Sequence, residues 1–191
     1  MRTTSRSVLL QRMLLKSRLL QSMLLKSRLL LLVLLAGCIT QPPQIAAGTT
    51  FIVVRHAEKV PDNSSDPRLS ATGEARAKAL AASLAGEPLQ AVYATAFRRT
   101  QLTAAPTAQA HALQVITYDA KQSATQLATQ LKQAHPTGAV LVVGHSNSAP
   151  DIAAALCACD VPRMQETEYG RRMTIRIAAD GSAHLMTTRD P

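Results

Sequence analysis

Aromatic residues are scarce in this chain of 191 residues, which has no Trp, three Tyr and two Phe. Proteins that bind single-stranded nucleic acid stack the bases on aromatic side chains within a basic groove. This chain has too few aromatic residues for such a surface. Its formal net charge of +9 therefore does not predict a nucleic acid partner.

Acidic residues are absent from the N-terminal segment, and this absence explains the net charge. Seven Lys and Arg residues precede Cys38, whereas no Asp or Glu does. The rest of the chain carries 14 of the 21 basic residues against 12 acidic residues, which leaves it nearly neutral. The positive charge thus belongs to the N-terminus and not to the folded domain.

A long apolar run is also missing, because the leucine-rich residues 29–35 are too few to span a bilayer. A basic start, an apolar centre and small residues before a cleavage point are instead the pattern of a secretory signal. The ending Leu35-Ala36-Gly37-Cys38 resembles the bacterial lipobox, in which the cysteine is lipidated and becomes the mature N-terminus. The alternative is an ordinary membrane anchor in which Cys38 remains a thiol.

We therefore predict a signal peptide over residues 1–37, a lipid on Cys38, a linker over residues 38–48 and a folded domain over residues 49–191. The length suits one domain of ordinary size, and nothing in the sequence indicates an obligate oligomer, so we predict a monomer. Ile39, and not Asp, follows the cysteine. By resemblance to Gram-negative lipoproteins, this implies the outer membrane, facing the periplasm.

Cysteine is rare as well, with three residues in the whole chain, and Cys157 and Cys159 are only two positions apart. Neither has the neighbouring His or further Cys residues that a zinc site needs, so we predict no metal and no other cofactor. The pair could form a disulfide in an oxidising compartment or remain as two thiols.

Apolar runs of strand length alternate with helical patterns along the folded domain, which favours an α/β fold with a mainly parallel sheet. The last two strands are predicted to form a hairpin. The expected helix caps are Ser70 or Thr72 for the first helix and Thr95 for the second. Strands are predicted at residues 51–54, 89–94, 113–118, 139–143, 173–178 and 183–188, and helices at residues 70–84, 95–112, 124–134 and 149–157.

A histidine follows each of the two fully apolar strands, as Arg55-His56 after the first and as His145 after the other. Ligands of open α/β sheets bind beyond the carboxyl ends of the strands, where these side chains are expected to meet. Arg99 falls in the first turn of a helix, where a cation opposes the helix dipole and an anion would offset it. These groups could surround a phosphate, with one neutral imidazole attacking phosphorus. The alternative for Arg99 is a solvated basic turn.

These segments resemble the histidine phosphatase superfamily, in the branch that includes the phosphoglycerate mutases. The resemblance rests on four segments that follow the order of the family, with Ala57 where the family has Gly. It implies a three-layer α/β/α fold with a mainly parallel central sheet and a C-terminal β-hairpin. The four segments are residues 54–59, 69–73, 93–104 and 143–147.

The resemblance also implies roles for individual residues. His56 would be phosphorylated and then released by water, and Arg55, Arg99 and His145 would form the phosphate pocket. Asn147 would bind the substrate through a hydrogen bond.

The resemblance leaves the general acid open. Mutase-like members carry a Glu in an insertion after the third strand, and this chain has no such insertion. Asp119 is the nearest candidate by position, and Glu58 and Glu168 are the others. If Glu58 is not the acid, it is expected either to bind the substrate or to pack beneath the nucleophile loop as a structural residue. Residues 166–169 are expected to form either the pocket rim or a solvated turn.

The function implied by the resemblance is a metal-independent phosphatase, anchored at the cell envelope by its lipid. It would hydrolyse a small phosphomonoester through a phosphohistidine, and a sugar phosphatase acting on the lipopolysaccharide core suits the compartment. One alternative is a protein phosphohistidine phosphatase, which the small size suits. The other is a non-catalytic phosphate-binding lipoprotein that lacks a working acid.

Overall fold

The computed structural model describes residues 48–190. The predicted signal peptide, the lipidation site and the linker up to residue 47 lie outside this part. Within it the strands are β1 (Thr49–Arg55), β2 (Leu89–Thr95), β3 (Val115–Tyr118), β4 (Gly138–Gly144), β5 (Arg171–Ile177) and β6 (Ala183–Arg189). The helices are α1 (Ala71–Ser83), α2 (Arg98–Ala110), α3 (Ala124–Ala134) and α4 (Ser148–Cys157).

The six strands form one sheet in the order β3-β2-β4-β1-β5-β6. The strands β1 to β4 run parallel to one another. β5 runs antiparallel to β1, and β6 returns antiparallel to β5 as a hairpin. The predicted α/β fold with its mainly parallel sheet and C-terminal hairpin is therefore confirmed. β1 and β4 lie in the middle, which explains why both are apolar along their length.

The two faces of the sheet are covered by different helices, because successive side chains of a strand point to opposite faces. Phe51 and Val53 of β1 pack with residues of α3 and α4. Ile52 and Val54 pack with residues of α1 and α2 on the other face. All four side chains are buried, and each contributes about 1.5–3 kcal/mol of burial free energy. This arrangement is the predicted three-layer α/β/α fold.

The helix caps agree with the prediction for α1 and differ from it for α2. Ser70 caps α1, because its hydroxyl accepts a hydrogen bond from the Gly73 amide. The predicted cap Thr95 is wrong: the N-cap of α2 is Phe97, which makes no side-chain cap bond. Asp66 takes over the task from the preceding loop, since its carboxylate accepts from the Arg98 amide at 2.9 Å.

The first turn of α1 packs tightly against the backbone that follows β1. The Ser70 amide donates to the Glu58 carbonyl at 2.9 Å. A Cβ atom at Gly73 would lie 2.1 Å from the same carbonyl oxygen, so only glycine fits there without a backbone shift. Arg76 then binds the Glu58 carboxylate with nitrogen–oxygen distances of 2.8–3.0 Å. This helix therefore fixes the loop that carries His56.

The end of α4 carries the two neighbouring cysteines. Cys157 and Cys159 are joined by a disulfide, which decides between the two alternatives that the sequence leaves open.

None of the helices within residues 48–190 has the length and apolar character needed to cross a membrane.

Candidate active site

The register of the two central strands brings the two predicted site histidines together. β1 pairs Arg55 with Gly144 of β4, so His56 and His145 are the next residues of adjacent strands. The His56 amide donates to the Gly144 carbonyl at 2.9 Å, which extends this pairing by one residue. The centroids of the two imidazole rings are 5.5 Å apart.

His56 is held with one ring nitrogen in use. Its Nδ1 lies 2.8 Å from the Ala57 carbonyl oxygen. Because a carbonyl can only accept, Nδ1 carries the hydrogen, and Nε2 keeps its lone pair. The Ala57 amide in turn donates to Thr103 Oγ1 of α2 at 3.0 Å, so α2 also fixes the loop. His56 is thus oriented as a nucleophile would need to be.

Both imidazoles are neutral at neutral pH. Burial lowers the pKa of His56 to about 4, and the charges of Arg55 and Arg99 act in the same direction. Burial likewise lowers the pKa of His145 to about 4, again with help from the two arginines. A neutral imidazole is the form that can act as a nucleophile, so the surroundings of both histidines favour that form.

His145 is positioned by the neighbouring strand β2. Its Nε2 lies 3.1 Å from Thr95 Oγ1, and its backbone amide donates to Ser148 Oγ at 3.0 Å. The ring of Phe97 meets the imidazole edge to face, with centroids 5.3 Å apart. Thr95 therefore positions the second histidine and does not cap a helix.

Arg99 has hydrogen-bond donors without acceptors. Its guanidinium carbon lies 4.3 Å from the centroid of the Phe97 ring. The Nε and Nη1 atoms are buried and have no hydrogen-bond partner, although Asp66 Oδ1 approaches Nη1 to 3.6 Å. Unpaired buried donors cost free energy, and an anion would satisfy them.

Arg55 is almost fully buried and organises the segment of residues 165–169. Its Nη1 donates to the carbonyl oxygens of Gln165, Glu166 and Glu168 at 3.0, 2.8 and 2.9 Å. Its Nη2 donates to Glu166 Oε2 at 2.8 Å. The Tyr169 ring stacks on the guanidinium at 4.3 Å from its centroid. The Nε atom has no hydrogen-bond partner.

The other predicted site residues lie outside this cluster or are engaged elsewhere. Glu58 is paired with Arg76, which supports the structural alternative for this residue. Asn147 is exposed and makes no cap bond at the start of α4. Asp119 is exposed, and its Oδ1 accepts from the Lys121 amide at 2.9 Å. It borders a surface cavity of about 670 Å³ along α3, which is lined by polar residues of that helix and of the turn before it.

Three residues that touch the cluster are not among the predicted catalytic and substrate-binding residues. Ser146, Glu166 and Thr95 make hydrogen bonds to one another or to the predicted site residues. Ser146 belongs to the second histidine segment, and the sequence leaves residues 166–169 as either the pocket rim or a solvated turn. Thr95 gave a misleading signal, because a Thr before a helix usually acts as a cap.

Within residues 48–190, no group of three or more His, Cys, Asp and Glu side chains is placed to hold a metal ion. The absence of a metal from the reaction stays a prediction. The groups that could balance the charge of a bound phosphate are Arg55, Arg99 and the two imidazoles.

Comparisons with known proteins agree with this geometry. Residues 51–122 match the family model of the histidine phosphatase superfamily (branch 1). Curated protein sequences give no match to this chain. The match to the family includes Arg55, His56 and Arg99 and ends before His145.

Solved structures of phosphatases share the fold at low sequence identity. The protein histidine phosphatase SixA, complexed with tungstate, has a TM-score of 0.60 and 18% identity over 73% of this chain and 96% of that chain. The mycobacterial glucosyl-3-phosphoglycerate phosphatase has a TM-score of 0.61 and 14% sequence identity, over 74% of this chain and 99% of that chain. A phosphoserine phosphatase mutant from Entamoeba histolytica, in complex with phosphoserine, has a TM-score of 0.56 and 14% sequence identity, over 74% of this chain and 96% of that chain. The chain therefore has the α/β/α fold of these phosphatases, and the segment that carries Arg55, His56 and Arg99 matches the histidine phosphatase superfamily (branch 1).

Proposed function

We propose that this chain is a histidine phosphatase that hydrolyses phosphomonoesters without a metal, by transferring the phosphoryl group to His56. One observation carries the proposal. The ring centroids of two neutral imidazoles lie 5.5 Å apart, beside the buried Arg55 and the partly buried Arg99, whose guanidinium groups both include buried donors without acceptors. Such a cluster is costly to bury unless an anion occupies it, and phosphate suits both its charge and its donors.

The orientation of His56 supports a covalent step. The carbonyl of Ala57 holds the proton on Nδ1, so Nε2 presents its lone pair to phosphorus. As the ester bond breaks, negative charge on the phosphoryl oxygens is balanced by Arg55 and Arg99. These two guanidinium groups are fixed by backbone carbonyls and by Phe97, so they need little rearrangement when the charge develops.

His145 has a different task in this scheme. Its Nε2 lies within hydrogen-bond distance of Thr95 Oγ1, and burial and the two arginines lower its pKa. A phosphate dianion beside the ring would raise that pKa, because an opposite charge favours the imidazolium form. His145 then adds positive charge only after the substrate has bound, which avoids a permanent third cation beside Arg55 and Arg99.

The short connection between β3 and α3 favours hydrolysis over mutase activity. Residues 119–123 are the whole connection between Tyr118 and Ala124, so this connection carries no inserted segment that could cover the site. A mutase must retain its phosphorylated intermediate and reorient it, and this needs an enclosed site. A phosphatase needs only access for water to the phosphohistidine.

The function is tested with the full-length chain, kept soluble in a mild detergent, acting on p-nitrophenyl phosphate with EDTA present. We expect release of inorganic phosphate, and a protein-bound phosphoryl group that survives alkali and is lost in acid, as phosphohistidine does. His184→Ala should leave both signals unchanged, because this histidine is exposed on β6. This variant is the control for the effect of replacing a histidine outside the site. Binding of inorganic phosphate without turnover of any phosphomonoester would instead indicate the non-catalytic alternative, and inhibition by EDTA would indicate a metal.

The envelope location is a separate part of the proposal, supported by the lipobox-like ending at Cys38 and by the basic, apolar segment before it. In cells fed a radioactive fatty acid, we expect the chain to be labelled and Cys38→Ser to be unlabelled. Equal labelling of both chains, or of neither, would contradict lipidation at this residue.

A further inference from the structure

The carboxylate of Glu166 lies between the two loops that carry the site histidines. Its Oε2 is 2.8 Å from Nη2 of Arg55, the residue that precedes His56 in the chain. Its Oε1 accepts a hydrogen bond from the Ser146 hydroxyl, next to His145. The side chain of Glu166 is 79% exposed, whereas that of Arg55 is 2% exposed. The carboxylate therefore sits at the mouth of the pocket, in contact with its floor on one side and with solvent on the other.

The segment that carries Glu166 is held in place through its backbone. Arg55 binds three carbonyl oxygens of this segment with one nitrogen, and the Tyr169 ring stacks on the same guanidinium. The Tyr169 ring also meets His56, with centroids 6.5 Å apart. The backbone of Glu166 is thus fixed by the phosphate-binding arginine, while the end of its side chain stays accessible.

The charges around Glu166 suit a group that changes its protonation during the reaction. The bond from Ser146 lowers the pKa of Glu166, and Arg55, His56 and Lys59 lower it further, so the group is ionised in the empty pocket. A phosphate dianion bound to the same cations would place negative charge beside the carboxylate and raise its pKa. Substrate binding thereby favours uptake of a proton by this carboxylate, beside the two histidine loops.

The other acidic candidates are engaged away from the pocket. Glu58 is bound by Arg76, and the Glu168 carboxylate is bound by Arg171 and Arg189. Asp119 follows β3, the edge strand on that side of the sheet, and accepts from a neighbouring backbone amide. Of these four carboxylates, Glu166 is the one whose oxygens contact residues adjacent to both histidines.

We propose that Glu166 is the acid and base of the reaction, an inference that rests on the proposed function. In the first half, His56 Nε2 forms a bond to phosphorus as the ester P–O bond breaks. The ester oxygen keeps the bonding pair, takes the proton of the Glu166 carboxyl group and leaves as an alcohol. In the second half, the carboxylate accepts a proton from water as the water oxygen bonds to phosphorus. The N–P bond then breaks, which restores neutral His56 and the protonated acid. When inorganic phosphate leaves, the Glu166 carboxyl group loses the proton that it took up on substrate binding.

The test compares two leaving groups on the full-length chain in detergent. An alkyl phosphate such as glycerol 2-phosphate needs its leaving oxygen protonated, whereas the p-nitrophenolate of p-nitrophenyl phosphate departs without help. For Glu166→Gln we expect kcat/KM to fall about 100-fold or more on the alkyl phosphate and less than about tenfold on the aryl phosphate. The exchange is isosteric at an exposed side chain, so the fold should persist. Glu74→Gln, at an exposed position in the first turn of α1, is the matched control and should leave both values unchanged.

Three outcomes would overturn the proposal in distinguishable ways. An equal loss on both substrates would show that Glu166 acts only by holding the segment on Arg55. A lower KM with unchanged kcat would show that the carboxylate merely competes with phosphate for Arg55. Lack of turnover of either substrate by the unmodified chain would overturn the proposed function itself, and the role of Glu166 with it.

Discussion

Replacement of His56 by alanine is expected to lower kcat/KM for p-nitrophenyl phosphate by on the order of 10⁴-fold or more, because the covalent step then has no nucleophile. The structure gives His56 the one free Nε2 lone pair that this mechanism needs, through the contact of Nδ1 with the Ala57 carbonyl. The measurement is steady-state hydrolysis by the full-length chain, with the alkali-stable phosphoryl group followed in parallel. Both signals should disappear together.

Binding separates loss of the nucleophile from loss of the pocket. Arg55 and Arg99 remain in the variant, so inorganic phosphate should still bind to His56→Ala, with a Kd within about tenfold of that of the unmodified chain. His56 is buried, so alanine leaves a cavity, and His56→Asn provides a second variant that fills it and equally lacks the nucleophile. Activity that survives in both variants would mean that another group, such as His145, carries the phosphoryl group.

The sequence was sufficient to predict that the two histidines meet. Two fully apolar runs indicate buried strands of a mainly parallel sheet, and residues that follow such strands lie beyond their carboxyl ends, where ligands bind. The pairing of Arg55 with Gly144 confirms this for His56 and His145. The fold class was accessible because short apolar runs rich in β-branched residues alternate with helical patterns along the domain.

The acid could not be chosen in this way. Asp119 follows a strand, as the histidines do, but β3 is separated from β1 by β2 and β4. At about 4.8 Å per strand, the end of β3 lies roughly 14 Å from that of β1. Glu166 comes from an irregular segment 111 positions after Arg55. No periodicity or cap signal decides whether such a segment forms the pocket rim or a solvated turn, so the sequence leaves both open. The cap of α2 shows the same limit, because Asp66 reaches the Arg98 amide from 32 positions away.

Replacement of Arg55 by lysine is expected to impair stability and activity together, although the charge is kept. One guanidinium serves three backbone carbonyls, the Glu166 carboxylate and the face of the Tyr169 ring. An ammonium group has three donors on one atom and no plane, so it cannot hold the segment and also reach toward a phosphate. We expect the free energy of unfolding to fall by about 2 kcal/mol or more, since three partly buried hydrogen bonds to backbone carbonyl groups are lost.

The expected loss in kcat/KM for Arg55→Lys is about 100-fold or more, because a fixed donor to the phosphoryl oxygens is removed. Urea unfolding and steady-state hydrolysis by the same preparation give the two values. Arg176→Lys is the matched control, since Arg176 is exposed on β5 and its replacement should change neither. If Arg55→Lys lost activity but kept full stability, Arg55 would serve the substrate alone. The contacts with residues 165–169 would then contribute nothing to the fold, and the fixed position of Glu166 would need another cause.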